Sequence, residues 1–253
     1  MVTARSHSHP RLRSMCPGPP ARILPVQAAP PAAETSRRFD RQLTIPGFGV
    51  STQRRLSQAT VLVAGVGGVG EAVAAYLAAV GVGRLILIHP GDLADPAVPG
   101  LIAEADAVVD ARHNDARHND ARHNDARHND ARHNFPERYL INRLCVRAGV
   151  PLVVAAMNAT EAYLLVVRPG EPCLRCVFGE GDPAWEPLGF PVLGAVAGTV
   201  GALAATEALK VVGGFAEPAA GCLGHLDRWD VDLRTPRTRR DPACPDCGPG
   251  STP

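Results

Sequence analysis

A glycine-rich sequence directly after a short apolar run constrains the fold of this chain more than any other feature. The run Thr60-Val-Leu-Val-Ala64 is β-branched and continuously hydrophobic, which predicts a buried parallel strand. Gly65-Val-Gly-Gly-Val-Gly70 follows at once, Glu71–Val80 has the composition of a helix, and Arg84–Ile88 predicts the next strand. This order is typical of half of a nucleotide-binding, doubly wound sheet.

The rest of the chain continues the alternation of strands and helices. We predict further strands at Ala105–Asp110, Pro151–Ala155 and Glu161–Val167. We predict helices at Arg138–Ala148 and Gly194–Val212. The fold class is therefore α/β, a Rossmann-like, doubly wound and mostly parallel sheet. Residues 36–253 form one domain, and the Pro- and Ala-rich residues 1–35 are predicted to be disordered.

Composition gives no sign of export or of a polyanionic partner. The formal charge is only +1, and the basic residues near both ends are predicted to lie in solvent-exposed tails. No apolar segment follows the basic start, and the long apolar helix is interrupted by glycines and by Glu207. We expect a cytoplasmic protein with neither DNA nor a membrane as its partner.

A tandem repeat is the most unusual feature of the sequence. Asp-Ala-Arg-His-Asn occurs five times without change over residues 110–134, which indicates a recent duplication with four extra copies. A period of five matches neither a helix nor a strand face, and alanine is its only apolar residue. We predict a solvated insertion or a frayed helical extension; metal binding by its histidines is the alternative.

The four glycines Gly65, Gly67, Gly68 and Gly70 are candidates for binding a phosphate group. Glycines allow a close approach of the backbone, and the helix that follows offers free N–H groups and its positive dipole end. A tight turn without a ligand is the alternative. A nicotinamide enzyme would need an acidic residue at the end of the second strand, where this chain has His89, with Asp92 too late.

Two CxxC pairs predict a metal site. Cys173 and Cys176 form the first pair, and Cys244 and Cys247 form the second. Four thiolates supply the closed tetrahedral ligand set of structural zinc, which would attach the C-terminal region to the body of the domain. Redox-active thiols are the alternative.

Several motifs, in order, resemble those of the ThiF/MoeB/HesA family of adenylyltransferases. Arg38-Phe-Asp-Arg-Gln42 is similar to the RYxRQ segment of that family, and the glycine motif matches its nucleotide loop. Ala78–Gly83, Asn134–Asn142 and Glu207–Lys210 resemble its AxxGVG, DNFxxRYLIN and EALK segments. The two CxxC pairs resemble its zinc knuckles, so the resemblance extends from about residue 37 to residue 248.

The resemblance implies ATP along Gly65–Gly70, zinc on the four cysteines and a homodimer in which Arg41 reaches the phosphates of the other subunit. The implied reaction is adenylation of the C-terminal glycine of a ubiquitin-fold sulfur-carrier protein. Some members of the family activate a modified tRNA base instead.

The chain departs from the family pattern in four places. His89 stands where the family has an aspartate for the ribose, and His133 stands where it has a magnesium-binding aspartate. The segment that carries an Asn-Arg-Gln motif and a phosphate-binding lysine is missing between Asp92 and Ala105. Residues 182–191 also lack the cysteine that some members use.

Two hypotheses follow from these departures. The first is an active adenylyltransferase, in which Arg112, Arg132 or the histidines of the repeat replace the lost cations. The second is a catalytically impaired member of the family that binds a nucleotide or a carrier protein without turnover, because each lost transition-state contact typically costs about a hundredfold in rate.

Overall fold

The computed structural model of the chain describes residues 22–24, 32–89, 92–112, 134–179, 192–227 and 232–249. The described helices are α1 Ala32–Leu43, α2 Gly49–Gln58, α3 Gly68–Val80, α4 Val98–Ala103, α5 Asn134–Ala148, α6 Leu174–Phe178 and α7 Gly194–Gly213. The described strands are β1 Arg22–Leu24, β2 Thr60–Ala64, β3 Arg84–Ile88, β4 Ala107–Asp110, β5 Leu152–Asn158, β6 Glu161–Val167, β7 Leu223–Asp227 and β8 Asp232–Arg234.

The eight strands form one mixed sheet in the order β1-β3-β2-β4-β5-β6-β7-β8. Its centre is parallel: β3, β2, β4 and β5 run in the same direction, with Leu62 opposite both Ile86 and Val108. The strands β6, β7 and β8 extend one side of the sheet in antiparallel pairs, and β1 pairs antiparallel with β3 at the opposite edge. The predicted fold class is confirmed, with parallel strands concentrated at the centre.

Helices cover both faces of the sheet, as doubly wound connections require. On one face, α2, α3 and α7 pack over alternate strand residues such as Val61, Val63 and Val109. On the other face, α4, α5, α6 and the C-terminal cysteines pack over the intervening residues, such as Leu62 and Val108. The continuous apolar runs in β2 and β4 therefore reflect burial on both faces.

Helix α3 lies very close to α7, and small residues make this possible. A Cβ atom at Gly201 would lie 2.6 Å from both the Ala72 Cβ and the Val69 carbonyl oxygen. Gly201 is therefore a packing residue that allows α7 to approach the first turns of α3. Of the described helices, α7 is the one whose length and composition would allow a membrane span, but half of it is buried inside the fold.

The structure corrects two boundaries near the N-terminus. We expected no order before about residue 36, but Arg22–Leu24 form strand β1 and α1 begins at Ala32. The strand forms because the edge of β3 offers unpaired backbone N–H and C=O groups, which composition does not reveal. The rest of the predicted disordered extension lies outside the described residues.

Two further boundaries differ in the middle of the chain. Helix α3 begins within the glycine motif, at Gly68, and not after it. Helix α5 begins at Asn134, four residues before the predicted start. The prediction for the repeat falls on residues 113–133, which lie outside the described part of the chain, whereas Asp110, Ala111 and Arg112 of the first copy are described and buried.

Candidate functional site

The candidate nucleotide site lies at the carboxyl ends of the central parallel strands. The glycine loop follows β2, His89 follows β3, and Asp110 ends β4. These strands are adjacent in the sheet, so their ends meet at one edge. In open α/β sheets, ligands bind in the crevice outside this edge.

Two of the four motif glycines are required to close the loop. Gly65 has a positive φ of 104° and is buried, and a Cβ atom there would lie 2.8 Å from the backbone of Arg112. A Cβ atom at Gly70 would lie 1.8 Å from the carbonyl oxygen of Gly65. The Gly65 N–H also donates to the Ile88 carbonyl at 2.8 Å, which ties the loop to β3. These two positions therefore exclude any side chain.

The other two glycines remain accessible. Gly67 is half-buried and Gly68 is exposed, and they stand at the N-cap and first residue of α3. The first N–H groups of a helix have no intrahelical partner and carry the positive end of its dipole. The accessible pair thus forms an opening at a helix N-terminus that suits an anionic phosphate.

A buried ion network lies directly beneath the loop. Arg112 donates from Nε to Asp110 Oδ1 at 2.9 Å and from Nη2 to Oδ2 at 3.0 Å. Arg138 Nη1 lies 3.3 Å from Asp110 Oδ2, and its Nη2 donates to the Arg112 carbonyl. Arg112 Nη1 also reaches the half-exposed Glu137 at 3.2 Å. Two carboxylates therefore compensate two guanidinium groups in this network.

Burial and pairing shift the pKa values of this network in opposite directions. Burial by itself would raise the pKa of Asp110, but the charges of Arg138 and Arg112 and the hydrogen bonds from Arg112 outweigh it, and the pKa falls below its ordinary value. Burial by itself would lower the pKa of Arg112, but the charge of Asp110 and the hydrogen bonds to it outweigh this effect, and the pKa of Arg112 rises. Burial lowers the pKa of Arg138. The network is held together as an ionised group.

The pairing of Arg112 overturns one expectation. We considered Arg112 as a replacement for the lost phosphate-binding cations, but its side chain is 1% exposed and committed to Asp110 and Glu137. Arg132 and the histidines of the repeat, His133 included, lie outside the described residues, with the predictions made for them. The chain has a single lysine, Lys210, which pairs with Glu207 on α7 at 2.6 Å.

Arg41 and His89 are both exposed. Arg41 lies on the last turn of α1, where its own carbonyl accepts a hydrogen bond from the Thr44 hydroxyl at 2.8 Å. His89 directly follows β3, and its carbonyl accepts from the Asp92 N–H at 2.9 Å, so that Asp92 lies one tight turn beyond the strand. An exposed Arg41 is available to a second molecule, and its role there stays a prediction.

The structure brings the four CxxC cysteines together. Their sulfur atoms all lie within 4.8 Å of one another, with Cys173–Cys244 at 3.6 Å and Cys176–Cys247 at 3.3 Å. A tetrahedral zinc ion with Zn–S bonds of about 2.3 Å places its sulfurs about 3.8 Å apart, so the cluster fits such an ion. Cys173, Cys244 and Cys247 are buried, whereas redox-active cysteines are typically partly exposed.

A buried aspartate between the last two cysteines holds the cluster to the helices. Asp246 is 1% exposed and accepts hydrogen bonds from Asn142 Nδ2 at 2.9 Å, Arg143 Nε at 3.2 Å and Arg175 Nε at 3.3 Å. Asn142 in turn accepts from the Leu174 N–H, at the start of α6. Sequence reasoning missed this network; an acidic residue inside a CxxC pair was its only signal.

Fold and site together define a class: a doubly wound α/β protein with a glycine loop at a helix N-terminus and a four-cysteine cluster that could hold zinc. The model of the ThiF family matches residues 39–93 and 129–246 of the chain. The chain therefore belongs to the ThiF family, which confirms the resemblance seen in its motifs.

Known proteins agree with this assignment. The chain is 40% identical to the heterocyst HesA protein of Trichormus variabilis over 83% of its own length and 88% of that protein. It is 38% identical to the adenylyltransferase and sulfurtransferase MOCS3 of Bos taurus, covering 90% of this chain but 57% of that protein. The crystal structure of E. coli MccB with ATP has a TM-score of 0.64, with 86% of this chain and 76% of that chain covered at 19% identity, which supports the fold alone.

Proposed function

We propose that this protein is an ATP-dependent adenylyltransferase that activates the C-terminal glycine of a ubiquitin-fold sulfur-carrier protein. The accessible N-terminus of α3 carries this proposal. Gly67 and Gly68 leave it open to solvent, at the sheet edge where an α/β fold binds its ligands. The MOCS3 relative is named for adenylyl transfer, and MccB has been solved with ATP in the same fold.

In the proposed reaction, a carboxylate oxygen of the carrier attacks the α-phosphorus of ATP. The bond from that phosphorus to the bridging oxygen of the β-phosphate breaks, and pyrophosphate leaves with the electron pair. The products are an acyl-adenylate and pyrophosphate. Such a reaction depends on positioning and on stabilisation of phosphate charge, and needs no protein nucleophile. The backbone N–H groups at the start of α3 provide the first of these contacts.

Cationic contacts would come from a second copy of the chain in this proposal. Arg41 is exposed on α1 and its guanidinium is free to approach another subunit, as the family resemblance implies. The proposed assembly is therefore a homodimer, located in the cytoplasm. Asp110 is not available to a magnesium ion, because it is buried and paired with two arginines.

A second candidate function is binding without turnover. Arg112 and Arg138 are compensated, and the described residues between Asp92 and Asp106 contain only the short helix α4. The alignment with HesA also extends over 256 residues while covering 83% of this 253-residue chain, so some residues of the relative have no counterpart here, and the match to the family model is interrupted between residues 93 and 129. Both observations agree with a missing phosphate-binding segment.

Binding of ATP, measured with the full-length chain, tests the site itself. Gly67→Asp and Gly67→Ser are a matched pair, because both residues are good N-caps and should leave α3 folded. Aspartate adds a negative charge where a phosphate would bind, and serine does not. We expect micromolar binding that Gly67→Asp abolishes and Gly67→Ser largely keeps; equal binding by both variants would place ATP elsewhere or show nonspecific binding.

Carrier-dependent exchange of pyrophosphate into ATP then separates the two candidate functions. An adenylyltransferase exchanges label only when a glycine-ended ubiquitin-fold carrier is present. Specific ATP binding without exchange, for every glycine-ended carrier tested, would favour the binding module. Exchange that survives in Arg41→Ala would refute the assigned role of Arg41 and leave the proposed reaction intact.

A further inference from the structure

The outer edge of β3 has an unusual occupant. In a doubly wound sheet of the order 3-2-1-4-5-6, a third parallel strand lies outside the second one. Here β2 and β3 take the first two places, and β1 occupies the third place in the antiparallel direction. Arg22 pairs with Leu87, Ile23 with Ile86 and Leu24 with Leu85.

The connection between β3 and β4 explains why a different strand is used. A parallel neighbour would require two crossovers within this connection, and its described residues from Asp92 onward contain only the six-residue helix α4. Without a neighbour, β3 would be an open edge with fully buried Ile86 and Ile88 side chains. Such an edge is an aggregation hazard. A terminal segment can close it without a crossover.

The sequence around β1 also suits an edge strand. Pro20 precedes it by two residues, and Pro25 follows it directly. Proline cannot donate to a ladder, so it confines pairing to a short segment and discourages the addition of another strand. Strand β3 is also linked to the candidate site, because the Ile88 carbonyl accepts from the Gly65 N–H.

We propose that the edge of β3 is a strand-binding surface for the chain's own N-terminal segment, and that Arg22–Leu24 are an integral strand of the sheet that takes the place of its third parallel strand. Arg22–Leu24 are then part of the folded domain. The proposal does not depend on adenylyltransferase activity.

Truncations of the full chain test this proposal through hydrogen exchange and thermal unfolding. A chain that starts at Met15 keeps β1, whereas a chain that starts at Ala32 loses it, and Ile23→Pro disrupts pairing in the full-length protein. We expect the chain from Met15 to match the full-length protein. In the chain that starts at Ala32 and in the Ile23→Pro variant, the amides of residues 84–88 should exchange at least tenfold faster. The Tm of both proteins should fall by about 3–6 °C.

Addition of a peptide of residues 17–31 to the chain that starts at Ala32 gives a further check. We expect the peptide to restore protection in 84–88, and the same peptide with Ile23→Pro to have no effect. Unchanged protection in the chain from Ala32 would overturn the proposal. The proposal would also be overturned if the chain from Ala32 loses protection in 84–88 while the full-length Ile23→Pro variant keeps it. Other residues of the extension would then be responsible for the protection. If the shorter chain is insoluble, the exchange pattern of Ile23→Pro decides.

Discussion

Arg112 and Asp110, two residues apart in sequence, form a two-point ion pair with both side chains at most 1% exposed. Arg138 completes the pair from α5 at 3.3 Å, and the backbone of Arg112 lies against Gly65. The pair thus links β4, α5 and the floor of the glycine loop. It stabilises the site and leaves no free charge for a substrate.

Asp110→Asn should destabilise the protein strongly. The substitution leaves the buried Arg112 and Arg138 without a full counter-charge, which typically costs about 3–5 kcal/mol. Asp232→Asn is the matched control, because Asp232 and its partner Arg234 are 41% and 74% exposed and such pairs contribute about 0–1 kcal/mol. Urea unfolding monitored by circular dichroism gives both values, and equal losses would contradict the assigned importance of the buried pair.

The same pair should make stability depend on acid pH. The pKa of Asp110 is lower in the folded state than its ordinary value of 3.8. Its contribution is therefore complete above about pH 5 and is lost as the pH falls through the folded-state pKa. We expect the difference in unfolding free energy between the wild type and Asp110→Asn to shrink as the pH is lowered from 6 towards about 3. A difference that is independent of pH would refute the assigned ionisation.

Gly70→Ala should disrupt the loop, because the added Cβ would lie 1.8 Å from the Gly65 carbonyl oxygen. We expect a loss of several kcal/mol, or failure to fold, since backbone atoms cannot give way as a flexible side chain can. Gly100→Ala in α4 is the control: its Cβ would meet nothing within 4 Å, and alanine in a helix is favourable by about 0.5–1 kcal/mol. Thermal unfolding compares the two, and equal behaviour would show that the loop differs from its described geometry.

Asp246→Asn should weaken retention of zinc although all four cysteines remain. The carboxylate holds Arg143 and Arg175 to the second CxxC pair, and loss of an outer-shell partner typically costs about 10–100-fold in metal affinity. Release to a chromophoric chelator measures this effect. Asp232→Asn, whose carboxylate pairs with the exposed Arg234 on β8, should release zinc at the wild-type rate, and so would Asp246→Asn if the carboxylate had no role in the cluster.

Removal of four of the five DARHN copies should leave the fold intact. Arg138, four residues after the repeat, donates to the carbonyl of Arg112 in its first copy, so residues on the two sides of the insertion are already in contact. One copy would still supply Asp110, Ala111 and Arg112, and closing a shorter loop should add up to about 1 kcal/mol of stability. Thermal unfolding monitored by circular dichroism, without added metal ions, tests this expectation. A lower Tm in the shortened protein would contradict it.

The sequence by itself determined the centre of this protein. The glycine motif between two apolar runs specified β2, the loop and β3, because sterics at Gly65 and Gly70 permit no other residue. The spacing of the cysteines indicated the cluster, because each CxxC pair presents two sulfurs from one turn. Sequence patterns were sufficient for the glycine loop and the CxxC turns, because a few adjacent residues determine the backbone geometry there.

Only the tertiary structure decided the features that join distant parts of the chain. It placed Arg22–Leu24 on β3, paired Arg112 with Asp110 and Arg138, and set Asp246 among the side chains of α5 and α6. From the sequence alone, a basic residue can be predicted to bind phosphate. In the folded protein it is not available for this role if a buried carboxylate is already paired with it. Pairing of this kind depends on contacts across the fold, which no local pattern records.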